Sequence, residues 1–133
     1  MKKFPFISLN TSLILLRVCV AILFIAHAVV RITNGAVSQF ADFLSSQGFM
    51  MGTAVVWIIT FFEIAGGILM TLGYFTKWLA LGFILMLIVG IIVIHAELGW
   101  FVGEHGTGGM EYSIALIFAL IVIAAADKNK SAD

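Results

Sequence analysis

The chain has 133 residues, of which 62% are hydrophobic and 11% are charged, and its mean hydropathy is +1.17. A soluble domain of this size cannot bury so much apolar surface, so the composition excludes a water-soluble fold and predicts a protein whose solvent is the lipid bilayer. The formal net charge is zero and gives no indication of nucleic-acid binding, and a single cysteine, Cys19, excludes an internal disulfide.

The first apolar stretch, residues 13–31, is long enough to cross a bilayer as a helix. Lys2 and Lys3 precede it, as in a signal peptide, but Arg17 interrupts the run and its length favours a retained helix. Three further stretches have comparable length: residues 53–73, 78–96 and 109–126. Because lipid offers no partner to unpaired backbone groups, we expect an all-α fold, a single domain built as a four-transmembrane-helix bundle.

The connection between the first two spans, residues 33–52, is polar in places but carries its own pattern. Apolar residues recur there at helical spacing: Val37, Phe40, Ala41 and Leu44. Polar residues fill the opposite face, so the pattern predicts a short amphipathic helix on the membrane surface, between helices 1 and 2.

The lysines predict the orientation of the bundle. Four spans place both termini on one side, which would carry five lysines: Lys2, Lys3, Lys77, Lys128 and Lys130. The opposite side has only Arg31, at the edge of the first span. Since positive residues are enriched on the cytoplasmic side, we expect a multi-pass protein of the cell inner membrane with cytoplasmic termini.

Ionisable residues inside the spans are the unusual feature of this chain: Arg17, His27, Glu63, His95 and Glu111. Each would cost on the order of 3 kcal/mol if it were charged and faced lipid at mid-bilayer, so they are expected to turn inward, pair or stay neutral. Helix direction places His27, Arg31, His95 and Glu111 near the outer end and Glu63 at mid-span. Arg17 is expected either to snorkel to the inner headgroups or to pair with Glu63. The sequence therefore predicts a polar pocket in the outer half of the bundle.

Several common kinds of site are disfavoured by the sequence. The glycine-rich loop 103–109 lacks the lysine of a phosphate-binding loop, and Glu104 and His105 within it are expected to be solvated. A haem between His27 and His95 would need a wide dry cavity between small helices, so haem is disfavoured. No spacing favours a metal on the histidines and Glu111, and we predict none.

Six short segments, taken in order, resemble the DoxX family of membrane proteins: LLR at 15–17, FIAH at 24–27, FEIAGG at 62–67, LGYFT at 72–76, His95, and GMEY at 109–112. The resemblance implies a four-helix integral membrane protein associated with quinone-linked oxidoreduction and with redox and thiol stress. It matches the polar positions Arg17, His27, Glu63, His95 and Glu111. The chain departs from the family at Ala28, where glycine is usual, and at Arg31, where lysine is usual.

The leading hypothesis is a membrane subunit of quinone-linked oxidoreduction that binds ubiquinone or menaquinone, or another small substrate, in the polar pocket. The candidate catalytic residues are Glu63, His95 and His27, which could donate or relay protons, and the candidate substrate-binding residues are Arg17, Arg31 and Glu111. The sequence carries no electron carrier, so turnover would need a redox partner subunit.

Two alternatives use the same residues differently. A small transporter or permease would use the buried charges as a substrate path, and with four helices it would have to form a homo-oligomer. A membrane scaffold would dock soluble redox enzymes, and its polar core would serve only helix packing.

Overall fold

The computed structural model describes residues 4, 6–103 and 108–127, and every regular element in that part of the chain is helical. The five α-helices are α1 Leu9–Thr33, α2 Val37–Ser46, α3 Gly52–Leu72, α4 Thr76–Gly90 and α5 Glu111–Asp127. A π-helical turn, Ile91–His95, and a 3-10 turn, Ala96–Leu98, extend α4. The predicted all-α class is therefore confirmed. Some sequence predictions concern Lys2, Lys3, Glu104, His105, Lys128 and Lys130, which lie outside the described residues.

Three helical segments of the described chain are long and apolar enough to cross a membrane: Leu9–Thr33, Gly52–Leu72 and Thr76–Leu98. At a rise of about 1.5 Å per residue, each matches or exceeds the roughly 30 Å hydrocarbon core. α5 has 17 residues, which is the lower end of the range for a span. The membrane environment follows from these helices, whereas a fourth span stays a prediction.

Residues 21–74 form one compact unit, which contains the second half of α1 together with α2 and α3. α1 and α3 touch where Gly67 meets Ala21 and Ile25, and a Cβ atom added to Gly67 would lie 2.6 Å from Ile25 Cγ1. α2 and α3 touch at Gly52, where a Cβ atom would collide with the carbonyl oxygen of Ala41. Glycine at both positions thus lets the helices approach closely.

The short helix predicted between helices 1 and 2 is present as α2, and its expected apolar face is turned inward. Ala41 and Leu44 are buried, while Val37 and Phe40 are half-buried. Both ends of α2 are bounded by glycines with positive φ, +64° at Gly35 and +95° at Gly48. Its location on a membrane surface stays a prediction.

The remaining described residues, up to Val20 and from Phe75 onward, form the second unit, in which α4 and α5 pack on each other. The carboxylate of Asp127, the last residue of α5, accepts a hydrogen bond of 3.2 Å from the backbone N–H of Lys77 in the first turn of α4. This contact joins the end of one helix to the start of the other, so α4 and α5 run antiparallel. The carboxylate there accepts a hydrogen bond from an N–H group that has no partner within α4, and its negative charge interacts favourably with the N-terminal end of the helix dipole.

Candidate functional site

A buried ion pair joins α1 to α3. Arg31 lies in the last turn of α1 and Glu63 lies in the middle of α3. Arg31 Nη1 donates to Glu63 Oε2 at 2.6 Å, and Nη2 donates to Oε1 at 3.4 Å. Only 14% of the Arg31 side chain and 5% of the Glu63 side chain are exposed. Each charge is thus compensated by its partner, as apolar surroundings require.

Helix geometry explains why these two residues meet. The contacts of Gly67 with Ala21 and Ile25, and of Glu63 with Arg31, show that α1 and α3 run antiparallel. Gly67 lies level with the stretch between Ala21 and Ile25, and Glu63 lies about one helical turn before Gly67 on α3. On α1, Arg31 lies about one further turn beyond the level of Glu63 along the membrane axis. Side chains lean toward the N-terminus of their own helix, so on antiparallel helices these two lean toward each other and close the gap.

Thr60 completes the hydrogen bonding on one side of the guanidinium. Its Oγ1 accepts a 2.9 Å hydrogen bond from Arg31 Nη1 and donates a 2.7 Å bond to the carbonyl oxygen of Val56. Thr60 is 1% exposed and lies three residues before Glu63, on the same face of α3. No sequence-based prediction included Thr60, although a hydroxyl one turn before a mid-span acid is visible in the sequence.

Phe40 of α2 is the third neighbour of the guanidinium. The guanidinium carbon of Arg31 lies over the phenyl ring, 5.3 Å from its centroid. A cation at this distance from a ring face is attracted by the negative face of the ring. The sequence analysis placed Phe40 only on the apolar face of α2, because a contact with the preceding helix cannot be seen in a periodicity.

One edge of the Arg31 guanidinium has no partner among the residues that the structure describes. An arginine has five N–H groups, and the contacts with Glu63 and Thr60 use both hydrogens of Nη1 and one of Nη2. Within the described chain, Nε and the second Nη2 hydrogen have no hydrogen bond, and Nε is not among the buried unpaired atoms. Two adjacent N–H groups can hold a carbonyl, carboxylate or hydroxyl oxygen of a ligand.

The predicted partner of Glu63 was wrong. The sequence analysis expected Arg17, since helix rise placed it within reach, but the structure pairs Glu63 with Arg31. The depth estimate put Arg31 at the outer surface and ignored the length and lean of its side chain. Arg17 is half-buried, and its Nε is buried without a hydrogen-bond partner among the residues described.

His27 lies on α1, one turn before Arg31, and is exposed. The sequence favours a residue that turns inward, pairs or stays neutral, and a role for His27 in the site stays a prediction.

His95 and Glu111 belong to the second unit. His95 ends the π-helical turn, is half-buried, and its Nδ1 is buried without a hydrogen-bond partner in the described ranges. Glu111 begins α5, and its Oε1 accepts a 3.0 Å hydrogen bond from the backbone N–H of Val102, while its own N–H donates to Trp100 at 3.1 Å. Glu111 thus holds a loop to the start of α5. Convergence of Arg17, His27, His95 and Glu111 with Glu63 stays a prediction.

No group of three His, Cys, Asp or Glu side chains within residues 6–103 and 108–127 is arranged to hold a metal ion. The Arg31–Glu63 pair and its neighbour Thr60 offer a cation with open donors, a carboxylate and a hydroxyl.

Comparison with known proteins gives one result. The DoxX family model matches residues 12–96, which is more than half of the chain and includes both members of the ion pair. The search of curated proteins and the search of solved structures each found no match. With its apolar helices and this match, the chain belongs to the DoxX family of membrane proteins.

Proposed function

We propose that this protein is an integral membrane subunit of quinone-linked oxidoreduction, and that it binds the quinone headgroup at the Arg31–Glu63 pair. One observation carries the proposal: the half-buried guanidinium of Arg31, held by Glu63 and Thr60, keeps an edge with two N–H groups that no described residue engages. Ubiquinone and menaquinone partition into the hydrocarbon phase that suits these helices, and their carbonyl oxygens are the acceptors that this edge would hold.

The residues present suit the chemistry of a quinone. Reduction to the hydroquinone adds two electrons and two protons, and negative charge develops on the carbonyl oxygens as electrons arrive. Arg31 would stabilise that charge through its N–H edge in a site of low dielectric. Glu63 lies beside the same guanidinium and would accept and pass on a proton. The electrons would come from a redox partner subunit.

The proposal also states how the chain crosses the membrane. α5 would be the fourth span, because it is apolar from Ile114 to Ala126 and meets the minimum length for a locally thinned bilayer. Both termini would face the cytoplasm of the inner membrane, in agreement with the lysine count. The ion pair would then lie in the outer half of the bilayer, where the tail-bearing ring of a quinone can enter from lipid.

The test is titration of short-chain ubiquinone and menaquinone analogues into the purified protein in lipid nanodiscs. The decisive variant is Arg31→Lys, since lysine keeps the positive charge for Glu63 but has no planar edge of paired N–H groups. We expect wild type to bind and Arg31→Lys to bind at least about tenfold more weakly. Lys77→Arg exchanges the same two residue types in the first turn of α4; it is the control and should bind as wild type does.

Three outcomes would contradict the proposal: no binding by wild type, equal binding by wild type and Arg31→Lys, or an equal loss in Lys77→Arg. Substrate flux in proteoliposomes without quinone would instead favour a transporter. Recruitment of a redox enzyme that survives replacement of both Arg31 and Glu63 by methionine would favour a scaffold.

A further inference from the structure

We infer that Phe40 is a positioning residue for Arg31: its ring holds the guanidinium so that the open Nε–Nη2 edge is presented to a ligand oxygen. Phe40 is not among the residues that the DoxX resemblance or the sequence pattern assigns to the site. The effect on Arg31 stands on the contacts alone, and the consequence for the ligand rests on the proposed quinone site.

The guanidinium of Arg31 is held by contacts from two different helices. Glu63 and Thr60, both on α3, bind it through hydrogen bonds, and Phe40 on α2 attracts it through the face of its ring. The hydrogen bonds from α3 hold the guanidinium within its own plane, but hydrogen bonds tolerate a modest change of angle, so the plane keeps some freedom to tilt. A contact from a second helix removes this freedom, so Phe40 fixes the orientation that Glu63 alone does not.

A hydrogen-bonded glycine turn lies at each end of α2. The turn at Gly35 has hydrogen bonds from Gly35 N–H to Ile32 O and from Ala36 N–H to Arg31 O, which is the Schellman pattern. The turn at Gly48 repeats that pattern at the end of α2, with bonds to Ser45 O and Leu44 O. One of the acceptors at the first turn is Arg31 itself, so the direction in which α2 leaves α1 is tied to the residue that Phe40 contacts.

α2 packs closely against the start of α3. Gly52 lies so close to Ala41 and Ser45 that a Cβ atom there would collide with both. Ala41, the residue next to Phe40, is 3% exposed, and Leu44 is 4% exposed. α2 is thus held at both ends and seated along one face, and the half-buried ring of Phe40 is carried to Arg31 by fixed backbone.

The arrangement sets the chemical class of ligand. Phe40 covers one face of the guanidinium, and the electron-poor ring of a quinone is a weaker partner for a cation than a phenyl ring. A ligand is therefore expected to meet Arg31 through an oxygen acceptor on the open edge. Flat rings with a carbonyl or hydroxyl oxygen at the rim, such as quinones and hydroquinones, fit this requirement.

The experiment uses three variants of the full chain in nanodiscs. Phe40→Leu keeps an apolar side chain but removes the ring, Phe40→Tyr keeps a ring, and Phe43→Leu is the matched control on the same helix, where Phe43 is exposed. The first measurement is the rate at which phenylglyoxal modifies Arg31, followed by mass spectrometry with Arg17 as the internal reference. The second is the Kd of a short-chain ubiquinone analogue.

We expect Phe40→Leu to raise the Arg31 modification rate roughly tenfold and to weaken quinone binding by a similar factor, which corresponds to about 1.4 kcal/mol. Phe40→Tyr and Phe43→Leu should stay within about twofold of wild type in both measurements. Where Phe40→Leu does not fold, Phe40→Met makes the same comparison with an unbranched side chain.

An Arg31 modification rate that is unchanged in Phe40→Leu, or raised equally in Phe43→Leu, would overturn the positioning role. A faster Arg31 modification in Phe40→Leu supports that role even when no variant and no wild-type protein binds quinone. That last result would overturn the quinone proposal alone, so the two failures are distinguishable.

Discussion

Glu63 and Glu111 both lie in apolar helices, yet the structure satisfies their charges by different routes. Glu63 is in the middle of α3 and receives a guanidinium, whereas Glu111 is in the first turn of α5 and receives the backbone N–H of Val102. The backbone N–H groups of a helix interior are already used, so an ionised acid there takes its partner from a side chain, here the guanidinium of Arg31. An acid at a helix start benefits from the helix dipole and from free N–H groups. Position along the helix therefore decides whether an acid joins two helices or fixes a loop.

The largest loss of stability is expected when the charge of Glu63 is removed. Glu63→Gln would leave the Arg31 charge buried without an opposite charge, and the loss of such a partner costs about 3–5 kcal/mol. Replacement of both residues by methionine removes both charges and should recover most of that loss. Denaturant unfolding in detergent micelles measures both values. A cost below about 1 kcal/mol for Glu63→Gln would show that the pair is not the main connection between α1 and α3.

A smaller loss of stability is expected from a change at Gly67. The Arg31–Glu63 pair depends on the close approach of α1 and α3 at this glycine. Gly67→Ala would place a Cβ atom 2.6 Å from Ile25 Cγ1 and 3.1 Å from the carbonyl oxygen of Ala21. Overpacking of this kind costs about 1–3 kcal/mol. Gly90→Ala is the matched control, since nothing lies within 4 Å of its Cβ position and alanine is the better helix former. Equal unfolding free energies for the two variants would contradict the close approach.

The smallest effect concerns the second member, Glu111. Glu111→Ala removes the acceptor for the Val102 N–H and should cost about 0.5–1.5 kcal/mol, confined to the loop before α5. Glu111→Gln keeps an oxygen acceptor and should lie close to wild type. Hydrogen exchange of the peptide that contains Val102 is the measurement, with faster exchange expected only in Glu111→Ala. Equal acceleration in both variants would mean that the negative charge matters more than the hydrogen bond.

The helices could be predicted to within a few residues, because apolar length is a property of the local chain. The stretch 53–73 corresponds to α3 at Gly52–Leu72, and 109–126 corresponds to α5 at Glu111–Asp127. The apolar face of α2 was equally visible in its periodicity. The π-helical turn that ends at His95 was not, since no residue pattern in an apolar run distinguishes it from the α-helix that precedes it.

The candidate site was predicted only in part. Glu63 and Arg31 were both singled out, because a charge in an apolar run is visible without a structure. Their pairing, and the contributions of Thr60 and Phe40, were missed. Each depends on which helix faces are opposed and on how far a long side chain leans, and neither quantity can be calculated from one helix at a time.

The sequence by itself determined that this protein is helical and built for lipid, since the cost of exposing apolar residues to water and backbone groups to lipid accumulates residue by residue along the chain. It also determined which charges need a partner. Only the tertiary structure decided that Arg31, and not Arg17, is the partner of Glu63. That choice is set by the register of α1 on α3 at Gly67, where a missing side chain brings the two helices together.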